Sequence, residues 1–278
     1  MDGQRGARMR GLVVSPPIRV DAESVYVESA DLDPQEMRLN LLFWDKLVFP
    51  TQNLIGFGLG ADAQFLETSG VLQRTTVAVP AGSMGDILRA AHVGAFRLLD
   101  KNEPGQWSIA TGERSLSFAS NDIDEGRGAL VKLYNAIPVP NEDASIVDIL
   151  EFREKRRSEL LALRHHLEGV YQRVIDAGDG PLAWNTEVEQ LQKAITDHLK
   201  AGREAPFKLR LADIGASLNL ISIGAGALSA YSMGLPLIPG MIDGAAAGLS
   251  LEVGGALKGR EAVSTPFKYV SSYHKEIF

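Results

Sequence analysis

From Ile214 to Ile242 the chain carries no charged residue, and the stretch is interrupted by Gly234-Leu235-Pro236-Leu237-Ile238-Pro239-Gly240. Two prolines bracketed by glycines end a helix, because proline lacks an N–H and glycine is entropically costly to order. The segment is therefore predicted to be a hairpin of two helical arms, about 214–233 and 241–257. Small residues recur four apart: Ser222, Gly226, Ala230 and Gly234 in one row, Gly244 and Gly248 in another. That spacing places them on one helix face, where they let two backbones approach closely. These residues, with Pro236 and Pro239 at the break, are the candidate interface positions. A surface this apolar needs a cover: the protein's own core, another copy, or a lipid phase.

A spanning helix needs about 20 mostly apolar residues. The first arm has that length but is diluted by Gly215, Ser217, Asn219, Ser222, Gly224, Gly226 and Ser229. The second carries Asp243 and Glu252, and an acidic residue at mid-membrane costs about 2.5–3.5 kcal/mol on insertion scales. A permanent two-span membrane protein is not expected. The leading expectation is a packed hairpin in a soluble protein. The alternative is a hairpin that enters a membrane only after a trigger, in the manner of α-helical pore formers.

Composition narrows the class. With 278 residues the chain can bury a sizeable core, and 45% apolar with 23% charged residues is ordinary for a globular protein. A net charge of −7 argues against general nucleic-acid binding, which needs basic surface to neutralise phosphates. There is no cysteine, so disulfides, thiolate nucleophiles and cysteine-ligated metals are excluded. The apolar stretch Leu12–Val14 is too short for the h-region of a signal peptide. A cytoplasmic location is expected.

The fold is predicted to be α+β, a small mixed-sheet part followed by a helical part. In residues 1–140, Val13, Val14 and Ile18 suggest a first strand interrupted by Pro16 and Pro17, and Val25–Val27 a short edge strand. Asp33 reads as the N-cap of a helix that has Pro34 at its first position. Lys46–Phe49 reads as a buried strand stopped by Pro50. A short helix over Ala61–Thr68 ends at Gly70, a strand covers Val71–Val79, and a helix covers Met84–Leu99. Trp107–Ala110 and Leu116–Phe118 are predicted to pair as a hairpin. Residues 141–262 form the helical part: a long helix from Ser145 to about Gly178, a second over Thr186–Lys200, then the apolar hairpin 214–257. Residues 263–278 are predicted to return to the first part through a strand over Pro266–Val270.

Chemistry-bearing patterns are weak. Gly56-Phe57-Gly58-Leu59-Gly60 follows a strand, but a dinucleotide site needs these glycines to open the helix of a βαβ unit, and a loop is the expected reading. His165 and His166 point about 100° apart on a helix and cannot readily share a metal. His92, His198 and His274 have no evident carboxylate partner. Asn121–Gly126 departs from the spacing of a calcium loop. The run Glu151–Glu159 reads as a solvated helix face with a supportive Glu151–Lys155 pair. No catalytic residue, cofactor or metal ligand is nominated.

LLFWDKLVFP (41–50), FLETSGVL (65–72), IPVPNEDASIVDILEFREKRR (137–157) and the closing PFKYV together resemble a bacterial family of unknown function. The resemblance spans most of the chain, and its motifs are structural. It implies the setting of such families, beside mobile elements and anti-phage defence genes. The leading expectation is a non-enzymatic interaction or assembly protein, a component of a defence or stress system, with a protein partner or self-association. The alternatives are the conditional membrane effector and a cryptic metal- or nucleotide-dependent hydrolase using scattered carboxylates such as Asp45, Asp122 and Asp124.

Overall fold

The computed structural model describes residues 8–20, 25–54, 56–110, 115–116, 127–137, 139, 144–201 and 265–278. The apolar hairpin 214–257, with Ser222, Gly226, Ala230, Gly234, Pro236, Pro239, Gly244 and Gly248, lies outside these residues, as do Asp122 and Asp124. The fold is α+β. The described residues divide into two compact units, one within Met1–Tyr134 and Asn141–Arg157, the other chiefly within Ser158–Glu276.

The first unit is built on four parallel strands. These are β1 (Gly11–Val13), β4 (Lys46–Thr51), β5 (Leu72–Thr76) and β6 (Trp107–Ile109), in the order β5-β4-β1-β6. Leu12 lies opposite Leu47 and Ser108, and Val48 opposite Gln73. Parallel strands need crossovers, here supplied by α1 (Pro34–Phe43), α2 (Ala61–Thr68) and α3 (Met84–Asn102). Val13, Val48, Trp107 and Ile109 pack with Val93, Ala95 and Phe96 of α3. Leu47, on the opposite face by the two-residue period, lines a small cavity with Met37 and Asn40 of α1. With both faces covered, the central strands are continuous apolar runs rather than alternating ones.

Pro50 does not stop β4. Val48 accepts from Val14 N–H on the β1 side, whereas Leu47 donates to Val71 and Thr51 accepts from Val77 on the β5 side. By alternation Pro50 faces the β1 side, beyond the point where β1 has ended at Val13, so its missing N–H costs no ladder bond.

Asp33 caps α1 as expected, its Oδ1 accepting from Gln35 and Glu36 N–H at 3.0 and 2.9 Å. Gly70 follows α2 with φ +71°, the left-handed conformation that favours glycine. The expected first strand is two: after Pro16 and Pro17 the chain enters β2 (Ile18–Val20), which pairs antiparallel with β3 (Val25–Val27) in a separate two-stranded ribbon. Trp107–Ile109 pairs in parallel with β1, and the proposed partner 116–118 lies mostly outside the described residues. The unit is completed by α4 (Gly128–Asn135), whose Tyr134 packs on Phe43 and Trp44 at 5.6 and 5.0 Å, and by α5 (Ile146–Lys155) against α1.

In the second unit α6 (Arg157–Asp176) and α7 (Gly180–Ala201) form a helical hairpin, clamped by a two-pronged Arg173–Glu187 pair with both bonds at 2.7 Å. The single long helix expected from Ser145 is broken at Arg156, where ψ is 21°. The predicted C-terminal strand is also corrected: Lys268–Glu276 is a helix, α8. Pro266–Val270 alone has strand-like residues, but buried Tyr269, Val270, Tyr273 and His274 recur one turn apart, a period that five residues are too few to reveal.

Candidate functional site

The β5-β4-β1-β6 order reverses direction between β1 and β6, and in open α/β sheets ligands bind at the carboxyl ends of the strands at such a point. Here Leu116 lies against it: Leu116 N–H donates to Ser15 Oγ at 2.7 Å, and Ser15 is buried just past β1. Beside it, a cavity of about 10 Å³ is lined by Val14, Ser15, Asp33, Glu36, Met37 and Asn40. That is room for about one water, against the roughly 300–1,000 Å³ of a small-molecule site. Of its two carboxylates, Asp33 is engaged as the cap of α1 and Glu36 stands in the first turn of that helix.

The other sequence-flagged groups in this unit have structural duties. Asp45 accepts from Arg10 N–H at 2.8 Å and meets Arg157 Nη1 at 3.4 Å. Arg153 donates to the carbonyls of Leu41 and Trp44. A side chain at Gly56 or Gly58 would meet nothing, and Gly60 starts α2 with the Asp31 carboxylate about 3.2 Å from where its Cβ would lie. A negative charge at that helix start opposes phosphate binding, so the glycine run is a loop. His92 is fully buried, its Nδ1 2.7 Å from the Leu88 carbonyl, and burial pushes its pKa down to about 4. Among the described residues no three His, Asp or Glu come together as a metal site, and no helix is long and apolar enough to cross a membrane.

One constellation in the second unit has the outline of nucleophile, base and orienting group. His198 of α7 lies with Nε2 3.2 Å from Ser271 Oγ and Nδ1 2.9 Å from Thr265 Oγ1, its ring beside Phe267. Burial, and then the positive charge of Lys275, lower its pKa, which favours the neutral imidazole. Hydrogen placement decides what this does. Ser271 Oγ donates to the Lys268 carbonyl at 2.9 Å. With that bond kept, Nε2–H donates to Ser271 and Thr265 donates to Nδ1, so each donor is used once. Making His198 the base toward Ser271 gives up the bond to Lys268, worth about 1 kcal/mol. The constellation is a clamp that ties α8 to α7. Ser272, donating to Glu159 Oε2 at 2.7 Å, and Lys268, 3.1 Å from Glu159 Oε1, tie α8 to α6 in the same way. No spacing signal could have found it, since the partners stand 67 and 73 positions from His198.

The β2–β3 ribbon is one of several places with outward-facing apolar side chains, as are Phe65, Ile175 and Leu182. Ile18 is buried with Leu88 and Leu116, and Val20 and Val25 pack against that cluster. A Cβ on Gly85 of α3 would stand 2.4 Å from Val20 Cγ1, so glycine is what lets the ribbon seat there. Tyr26 and Val27 are 56% and 44% exposed. Being consecutive in a strand, they point to opposite faces. Among the described residues β3 pairs with β2 alone.

The family model described as "Family of unknown function (DUF6236)" matches residues 9–278. The chain belongs to this family. No curated protein and no solved structure matches it. The match covers both units, so the ribbon, the parallel sheet and the His198 clamp all lie in the span that defines the family.

Proposed function

We propose that this protein is an interaction and assembly protein that engages its partner through the β2–β3 ribbon. The observation that carries the reading is β3: a strand with one partner among the described residues, carrying exposed apolar side chains on both of its faces. Open strand edges with apolar side chains template pairing with another chain, and proteins ordinarily blunt them with charge, proline or a bulge. Val25-Tyr26-Val27 carries no charge and no proline, and only its three-residue length limits such pairing. Strand addition supplies affinity through main-chain hydrogen bonds and selectivity through alternate side chains. A first unit in which Asp33 caps α1, Asp45 accepts from Arg10 and Arg153 donates to Leu41 suits such a role, because it gives the strand a fixed base.

The test compares proteins captured by the wild-type chain with those captured by a double variant, Tyr26→Lys with Val27→Lys, at matched thermal stability. Loss of a specific partner, or of self-association, from the variant is the expected result. An identical set on both proteins removes the ribbon from the mechanism.

A further inference from the structure

We infer that the β3 edge receives an extended apolar segment of a partner protein that carries lysine or arginine on its flanks; this rests on the ribbon being the interacting surface. Main-chain direction comes first. Glu28 N–H donates to the Pro17 carbonyl at 3.1 Å, one step beyond the Ile18–Val27 pair of the ladder. In an antiparallel pair, hydrogen-bonded and non-bonded positions alternate. Tyr26 therefore directs its N–H and C=O toward Arg19 of β2, and Val25 and Val27 direct theirs to the open edge. Any extended strand can use those groups, so the main chain sets the conformation of the partner and not its composition.

Charge selects the composition. From Ile18 to Met37 the sequence carries Asp21, Glu23, Glu28, Asp31, Asp33 and Glu36 against one cation, Arg19. Arg19 meets Glu28 Oε1 at 3.2 Å, with the two side chains 67% and 54% exposed. An ion pair so solvated is weak and readily exchanged. Asp31 is exposed, and among the described residues no cation pairs with its carboxylate. It follows Glu28 by three residues, within about 11 Å by chain length, close to the ~10 Å Debye length of 0.1 M salt. The field beside the edge is therefore negative where a partner strand arrives, which draws in a basic segment and turns an acidic one away.

Tyr26 adds to the same preference. By the two-residue period Tyr26 and Glu28 share a face of β3. An exposed ring beside a carboxylate receives a lysine or arginine through cation–π and ionic contact together. Among the described residues guanidinium groups lie over Phe49 and Phe96, and none lies over Tyr26. A second copy of this chain is disfavoured by the same groups, since joining two ribbons brings two acidic stretches together. Three residues of edge make a small contact, below the roughly 1,200 Å² of stable interfaces, so the association is weak and transient.

The probe is a displayed library of random heptapeptides, selected on the immobilised full chain and counter-selected on Val27→Pro. Proline there removes one outward N–H and no bond to β2, and edge strands tolerate it. Tyr26→Lys with Val27→Lys is the second control should the proline variant lose stability. Peptides enriched on the wild type are expected to alternate apolar residues and to carry more lysine and arginine than aspartate and glutamate. Their affinity should fall about threefold or more as salt approaches 1 M, where the Debye length is ~3 Å. Glu28→Gln with Asp31→Asn should remove that basic excess. Enriched peptides that are lost on the controls but are neutral or acidic overturn the charge selection and leave the ribbon reading standing. No enrichment on the wild type over either control overturns the inference, and the capture comparison with the double-lysine variant then decides the ribbon reading separately.

Discussion

β1 and β3 are both three-residue strands of the same apolar kind, Gly11-Leu12-Val13 and Val25-Tyr26-Val27, yet every residue of β1 is buried and two of the three in β3 are exposed. The difference is in neighbours. β1 sits between β4 and β6, with α3 against Val13 on one face and Leu12 fully buried on the other. β3 has β2 on one edge and the start of α3 under one face. Intrinsic strand preference is a statement about fitting a half-buried pleat. It does not say how many sides of that pleat the fold will cover, and here one side stays uncovered.

The largest expected effect breaks the buried side. A Cβ on Gly11 would lie 2.3 Å from two atoms of the Trp107 ring, in the register where Gly11 stands opposite Trp107. The indole is buried and tied by its Nε1–H to Glu103 at 2.8 Å, so it cannot swing clear. Gly11→Ala should cost about 3 kcal/mol or more, at the upper end of overpacking penalties, read as a fall in the denaturant midpoint. An unchanged midpoint means that β6 can move away from β1 and that the sheet is softer than its burial implies.

His92 gives the next effect, a comparable one under acid. Its proton is bound in the unfolded chain below about pH 6.5 but is resisted in the fold until about pH 4. Its contribution is therefore fully present above pH 6.5 and is lost as pH falls from there toward 4, about 3 kcal/mol in all. His92→Leu should flatten that part of the stability–pH profile. A profile of the same slope would mean that carboxylates, not His92, govern acid unfolding.

These buried contacts divide sharply in how legible they were. The Asp33 cap, the Lys46 strand start, α2 and the Val25–Val27 strand follow from local signals, because capping and period act within one turn or one strand. The Pro50 continuation does not, since it depends on what lies beside the strand in space, and α8 does not, since its period shows only over more than five residues. Pro50 needed the knowledge that β1 ends early, and Pro266–Val270 needed the second helical turn supplied by Tyr273 and His274. Of the site, β3 was visible as a strand but its exposure was not. The hairpin residues on which the sequence reading centred, Ser222 to Gly248, lie outside the described residues.

Gly85→Ala tests the seat between the two regions. The added methyl would meet Val20 Cγ1 at 2.4 Å and Val25 Cγ2 at 3.5 Å. Val20 is a partly buried ribbon side chain and can yield more than the Trp107 ring, so the cost should be about 1–2 kcal/mol. The ribbon, displaced from α3, should lose peptide binding along with stability. Retained binding would place the ribbon's rigidity outside the interface.

The smallest effect on stability carries the most about function. Tyr26 is 56% exposed on the solvent side of the ribbon, across from Arg19, which is itself paired with Glu28. Tyr26→Lys removes little buried area and should change unfolding free energy by no more than about 0.5 kcal/mol, as exposed substitutions generally do. It would nevertheless place an ammonium group on the exposed strand, and charge on an edge strand opposes strand pairing. The wild type should retain the basic peptides selected on it, and the variant should release them. A variant that binds as the wild type does would show that the exposed face of β3 is ordinary surface. The contrast between a covered and an uncovered strand would then be a matter of packing alone.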